Sequence, residues 1–192
     1  MNQGINKTVP PRRPPGSSLR NMLTASLTAA LIALCAQIAI PLPLVPVNLA
    51  LLPVFLAGFL LKGRWALASV GLYLLMGALG LPVFSGFRGG PQILFGPTGG
   101  YLLGYLLSAG VIAALKNKAG SFAGRLLLCL FALLMCYIPG TLWLLYLTGR
   151  PLLDVLSFAV LPFIPGDLLK SLAASLLVPA LQRALEASRL HF

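Results

Sequence analysis

Apolar residues in this chain come in long runs broken by short polar or Pro/Gly-rich segments, not in the alternating order of half-buried strands. Six runs are drawn, over about 19–40, 47–61, 65–81, 96–115, 125–147 and 165–185. A helix of about 20 mainly apolar residues crosses the hydrocarbon core, so each run is read as a membrane span, although several are short and the second is the weakest. The first ends at "PLPLVP", whose prolines cannot continue a helix, and the second stops at "KGR". Residues 1–18, "MNQGINKTVPPRRPPGSS", have the polar, Pro- and Gly-rich composition of a disordered arm. That leaves 19–188 as one membrane domain. The pair Arg12-Arg13 has the look of a twin-arginine signal, but the following run is long and no small-residue cleavage pattern closes it.

Composition agrees with the pattern. The chain of 192 residues is 58% hydrophobic and 9% charged, against about 25% charged in a soluble domain. The expected class is an all-α integral membrane protein, a bundle of six transmembrane helices with long external loops. The net charge of +11 is not a nucleic-acid signature, because the basic residues sit in short segments between apolar runs. Lys7, Arg12, Arg13, Arg20, Lys62, Arg64, Lys116, Lys118, Arg125, Arg183 and Arg189 all fall on one side of the six-span topology, and Arg88 and Arg150 on the other. By the positive-inside bias the larger group is cytoplasmic, and both termini with it. The connections at 41–48, 82–100 and 148–167 are then external.

Little catalytic chemistry is available. Cys35, Cys129 and Cys136 lie inside apolar runs without a C-x-x-C spacing, and read as small buried hydrophobes. The single histidine, His191, is next to the C-terminal residue, so a His-ligated metal or a histidine-based hydrolase is not expected. The cytoplasmic connections have no Walker-type loop and no acidic cluster, and the elaborate face is the external one. No cofactor is expected.

Three features carry more specific chemistry. Ala25, Ala29 and Ala33 recur every four residues, a stripe where another helix can approach closely, either within the bundle or from a partner. Gly96, Gly100, Gly104 and Ser108 form a second stripe, read chiefly as internal packing. Its entrance, "GPTGGY", is expected to put Pro97 near the first helical position and Thr98 in the first turn. Free N–H groups there favour an anion, and the glycines at 89–90 and 99–100 let a ligand come near the backbone.

The third feature is Asp167, one of three acidic residues, spaced i,i+3 from Lys170 at the external start of the last run. A charge at the membrane centre costs about 2.5–3.5 kcal/mol on insertion scales. One account makes Asp167 a helix cap and lets Lys170 snorkel. The other makes the pair the polar floor of a pocket, offering an acceptor and a donor to a small ligand.

These stretches together resemble the BioY family, the biotin-binding S components of energy-coupling factor (ECF) vitamin transporters. The resemblance is carried by "IPLPLVPVNLALLPVFLAG" (40–58), "GLPVFSGFRGGPQILFGPTGGYLLGY" (80–105) and "LPFIPGDLLKSLAA" (161–174), and it covers most of 19–185. It implies a six-helix subunit of the bacterial cell membrane that captures biotin from outside. It also implies a transmembrane scaffold partner of the EcfT or BioN type and paired cytoplasmic ATPases of the EcfA or BioM type. The family's ligand contacts fall here on Asp167, Lys170 and the 86–100 region, so the expected ligand-binding residues are Asp167, Lys170, Arg88, Gly89, Gly90, Thr98, Gly99, Gly100 and Tyr101. The family's docking stripe falls on Ala25, Ala29 and Ala33. Two departures stand out: Asn48-Leu49-Ala50 replaces a Thr-Leu-Gln-like segment, and Gly86 replaces an asparagine of some relatives. The rival readings are an S component for another vitamin, an intramembrane enzyme and a structural bundle. The segment "FSGF" around Ser85 is the one enzyme-like hint, and no span holds a histidine to activate a serine.

Overall fold

A computed structural model describes residues 16–42 and 45–189, with side chains over 18–42 and 45–187. Most of the expected N-terminal arm, Pro43, Leu44 and His191 lie outside the described residues. The architecture is mainly helical. In chain order it runs α1 (Gly16–Gln37), a short ribbon of β1 (Ala39–Ile40) and β2 (Val47–Asn48), α2 (Leu51–Leu60), α3 (Gly63–Ala78), α4 (Pro91–Leu94), α5 (Gly99–Leu115), a 3-10 turn (Lys116–Lys118), α6 (Phe122–Thr148), α7 (Leu152–Ala159) and α8 (Ile164–Arg189).

Each expected span contains one helix, with shifted boundaries. Among the described residues, four helical segments are long and apolar enough to cross a membrane: Ser18–Gln37, Gly99–Lys118, Phe122–Thr148 and Ile164–Ala187. The second and third runs are shorter as helices. Helix α2 has 10 residues, about 15 Å of rise against a hydrocarbon core of about 30 Å.

The boundaries move for local reasons. Helix α1 starts at Gly16, inside the expected arm. It stops at Gln37 because the chain turns into the antiparallel ribbon, where Ala39 pairs with Asn48 and Ile40 with Val47. The start of α2 is set back to Leu51 by Asn48, whose Oδ1 accepts the Ala50 N–H at 3.0 Å, an Asx turn. Pro97 was expected inside the start of α5, but it precedes Thr98, the residue before the helix proper. Helix α7 was not expected. It buries Val155 and Ala159, and Arg150 lies 5.6 Å from the Phe158 ring.

The strongest helix pairing is α5 on α6, and small residues make it close. A Cβ on Gly100 would stand 2.5 Å from the Pro139 oxygen, and one on Gly104 2.7 Å from the Cys136 oxygen. Farther along, Ser108 Oγ donates to the Ala132 oxygen at 2.6 Å. Ala132, Cys136 and Gly140 thus form a reciprocal every-fourth-residue stripe on α6, and a Cβ on Gly140 would meet the Tyr101 ring at 2.3 Å. The glycine stripe of α5 is internal packing, as its spacing suggested.

The alanine stripe of α1 lies largely on the inward side of the helix. Ala25 is 4% exposed and Ala29 0%, and Ala33 is half-buried, because this face packs α1 onto the bundle, chiefly against α3. The small residues that α1 leaves exposed, among those described, are Ser18, Ser26 and Ala30.

Candidate functional site

The last helix carries an unusual inward stripe. Asp167, Lys170, Ser171, Ala174, Ser175 and Val178 are buried, at the i, i+3, i+4, i+7 spacing of one helix face. Ser171 and Ser175 donate back to the carbonyls of Asp167 and Ser171, at 2.8 Å each. Their hydroxyls are satisfied locally, which leaves the two charged residues of the first turns as the polar end of the stripe.

Asp167 is 4% exposed and Lys170 8%. Asp167 Oδ1 accepts from Lys170 Nζ at 2.5 Å, and Oδ2 accepts from the Tyr137 hydroxyl at 2.6 Å. Both carboxylate oxygens are held by side chains, so Asp167 is not capping α8. Lys170 is buried beside it and does not snorkel. The pair is electrically compensated, which is how two charges persist in an apolar bundle. It still presents unused ammonium donors and carboxylate lone pairs.

These groups line a cavity that is apolar over most of its wall, with a few polar groups converging on it, the usual make-up of a small-molecule site. Its walls come from the ribbon, from α2, α3, α5, α6 and α8, and from the loop between α3 and α5. The apolar lining includes Val45, Leu51, Phe84, Ile93, Leu102 and Phe163; Asn48, Tyr105, Ser85, Arg88 and Thr98 add polar groups. Tyr105 donates to Asn48 Oδ1 at 3.3 Å. Asn48 thus ties the start of α2 to α5 at the cavity wall.

The loop between α3 and α5 is clamped. Phe84 is 2% exposed and stacks edge-on to Tyr73 at 5.5 Å, in a notch left by Gly77, where a Cβ would stand 2.0 Å from the ring. Phe84 and Arg88 exchange backbone hydrogen bonds at 2.9 and 3.2 Å. The turn between them needs positive φ at Gly86 and Phe87. Gln37, at the end of α1, secures this turn. Its Nε2 lies 3.2 Å from each of the Ala33, Val83 and Phe84 oxygens, and its Oε1 accepts the Phe87 N–H at 2.8 Å.

The expected contact set therefore divides. Asp167, Lys170, Arg88, Thr98 and Tyr101 all line the cavity. Thr98 directs its hydroxyl to the Ile93 oxygen at 3.3 Å, and Tyr101 donates to the Ala159 oxygen at 3.0 Å, anchoring α7. The four glycines play a different part. Cβ atoms on Gly89 and Gly99 would meet the Leu81 and Leu94 oxygens at 2.3 and 1.7 Å, and one on Gly100 would strike α6. At Gly90, φ is +100° and the N–H donates to the Gly77 oxygen at 2.7 Å. A Cβ at these glycines would meet neighbouring backbone or side chains, and none of the four is among the residues that line the cavity. Tyr137, Tyr105, Tyr73, Phe84 and Ser85 were not singled out as contacts from sequence. Tyrosines inside an apolar run were the available signal, since a buried hydroxyl needs a partner.

The family model described as the BioY family matches residues 6–187. Similar proteins include the Biotin transporter BioY of Thermotoga maritima, 39% identical over 171 residues, which span 89% of this chain and all of the relative. The Biotin transporter BioY2 of Lactococcus lactis subsp. cremoris is 33% identical over 177 residues, 92% of this chain and 97% of the relative. Among solved structures, the S-component for biotin from an ECF-type ABC transporter superposes with a TM-score of 0.82 at 28% identity, covering 90% of this chain and 95% of that one.

Proposed function

The chain belongs to the BioY family, and from that premise we infer that it is the substrate-specific subunit of an ECF-type ABC transporter, which captures biotin for uptake. It is a multi-pass protein of the bacterial cell (inner) membrane and a binding subunit, not an enzyme. Its partners are biotin, a transmembrane scaffold subunit and the ATPases that drive release.

The observation that carries this reading to particular residues is the buried Asp167–Lys170–Tyr137 cluster on the wall of the cavity. Biotin has a neutral ureido ring with two N–H donors and one carbonyl acceptor, and a flexible chain ending in a carboxylate. Asp167 suits a ureido N–H and Lys170 the ureido oxygen. The carboxylate belongs at the other pole, near Arg88, away from Asp167. Thr98 and Tyr101 shape the wall between. Mass spectrometry of ligand extracted from the purified protein should find biotin, and titration should give saturable binding. A different vitamin in the extract, with no heat of binding for biotin, would overturn the reading.

Six spans with both termini inside are the topology proposed, with 19–188 as the membrane domain after a cytoplasmic arm. Two observations support it: the basic residues fall on one side of that topology, and each apolar run holds a helix, four of them long enough to cross. Lys118 and Arg150 are both exposed, whereas Cys129 and Cys136 are buried and Cys35 half-buried. A cysteine at Lys118 should react with an impermeant thiol reagent from the cytoplasmic side alone, and one at Arg150 from outside. Reversed labelling would discard the orientation.

A further inference from the structure

Ser85 Oγ is the one buried side-chain polar atom among the described residues without a hydrogen-bond partner. The residue is 8% exposed, and such a group in a native fold calls for an explanation. Its position supplies one. Ser85 lines the main cavity and also a second, outer cavity bounded by Gln37, Pro41 and Leu42. Pro46 and Arg88 line both as well, so these three residues stand where the two spaces meet.

We propose that the Ser85 hydroxyl is a ligand contact that donates to the tail carboxylate of biotin beside Arg88. This rests on the function given above and extends it to a residue outside the expected contact set. Lys170 is neutralised by Asp167. An acidic tail is repelled from Asp167 and drawn to Arg88, the other cation on the cavity wall. Arg88 and Ser85 are fixed together on one turn, because Arg88 Nε donates to the Ser85 carbonyl at 3.1 Å. The turn itself is held by Phe84 in the Gly77 notch and by Gln37. The Gln37 amide cannot take the role of neutral donor, since its Nε2 already faces three carbonyls. The Ser85 hydroxyl is the neutral donor left at this junction, and a carboxylate is a strong acceptor for it.

Titration of the full-length protein in detergent with biotin and with biotinamide, whose tail is uncharged, tests the contact. Ser85→Ala removes one oxygen and little volume. Biotin affinity should fall about tenfold or more, the effect of one hydrogen bond to a charged group. Biotinamide affinity should change less than twofold. Without ligand the variant should melt at or above the wild-type temperature, because it loses a buried hydroxyl that has no partner. Unchanged biotin affinity would overturn the proposal. Equal losses for both ligands would move the contact away from the tail and overturn it too, as would a lower melting temperature without ligand, the mark of a structural role. Wild-type protein that binds neither ligand would remove the transport reading itself.

Discussion

Asp167→Asn should weaken biotin binding roughly 10- to 150-fold, the loss of one charge-assisted hydrogen bond of about 1.5–3 kcal/mol. The substitution keeps the size of the side chain and one acceptor oxygen, so a capping role would survive it. The carboxylate instead has Lys170 on one oxygen and Tyr137 on the other. Lys170→Met keeps the apolar stem, deletes the ammonium and should lose binding on the same scale. Each single variant leaves a charge buried without its counter-charge, which costs about 3–5 kcal/mol in comparable pairs. Both should therefore melt at lower temperature. The double variant Asp167→Asn with Lys170→Met removes both charges and should recover much of that stability while still failing to bind. Calorimetric titration with parallel melting curves separates the effects. Wild-type affinity in either single variant would sink the site, and a double variant that binds normally would reduce the pair to a folding element.

The positions of the long helices and the Asp167–Lys170 pair were legible in the sequence for the same reason. Run length and i,i+3 spacing are local properties, and no contact with another element is needed to read them. The partners of that pair were not legible. Tyr137 lies thirty positions from Asp167, and only the packing of α6 against α8 brings them together. The stripes of small residues show the same limit. Spacing defines a face but not its neighbour: Gly104 packs on α6, as its stripe suggested, while Ala25 and Ala29 face inward onto the bundle. Glycine is the most ambiguous letter of all. At 89, 90, 99 and 100 it admits a close neighbour, and the sequence looks alike whether that neighbour is a ligand or the chain's own atoms. Helix α7 and the ribbon were hidden because each is short and lies in a Pro-rich connection, where periodicity has too few residues to register.

Gly104 gives the largest expected effect on folding, and it couples the fold to the site. Its missing Cβ would stand 2.7 Å from the oxygen and 2.8 Å from the Cα of Cys136. Those are backbone atoms of α6 that no rotamer change can move. Gly104→Ala should cost about 1–3 kcal/mol, the usual range for overpacking. Gly104→Leu should cost more, because α5 and α6 must separate along the whole contact that Gly100, Ser108 and Gly140 make close. Separation also displaces Tyr101, Tyr105, Cys136 and Tyr137, all on the cavity wall. Biotin affinity should therefore fall with stability, although Gly104 itself does not line the cavity. Gly71→Ala in α3 is the control: a Cβ there meets nothing within 4 Å, and alanine favours the helix, so this variant should melt at the wild-type temperature or above. Melting curves in detergent decide the matter. A Gly104→Leu protein as stable as wild type would mean that the α5–α6 contact is not the close backbone packing that holds the binding cavity in shape.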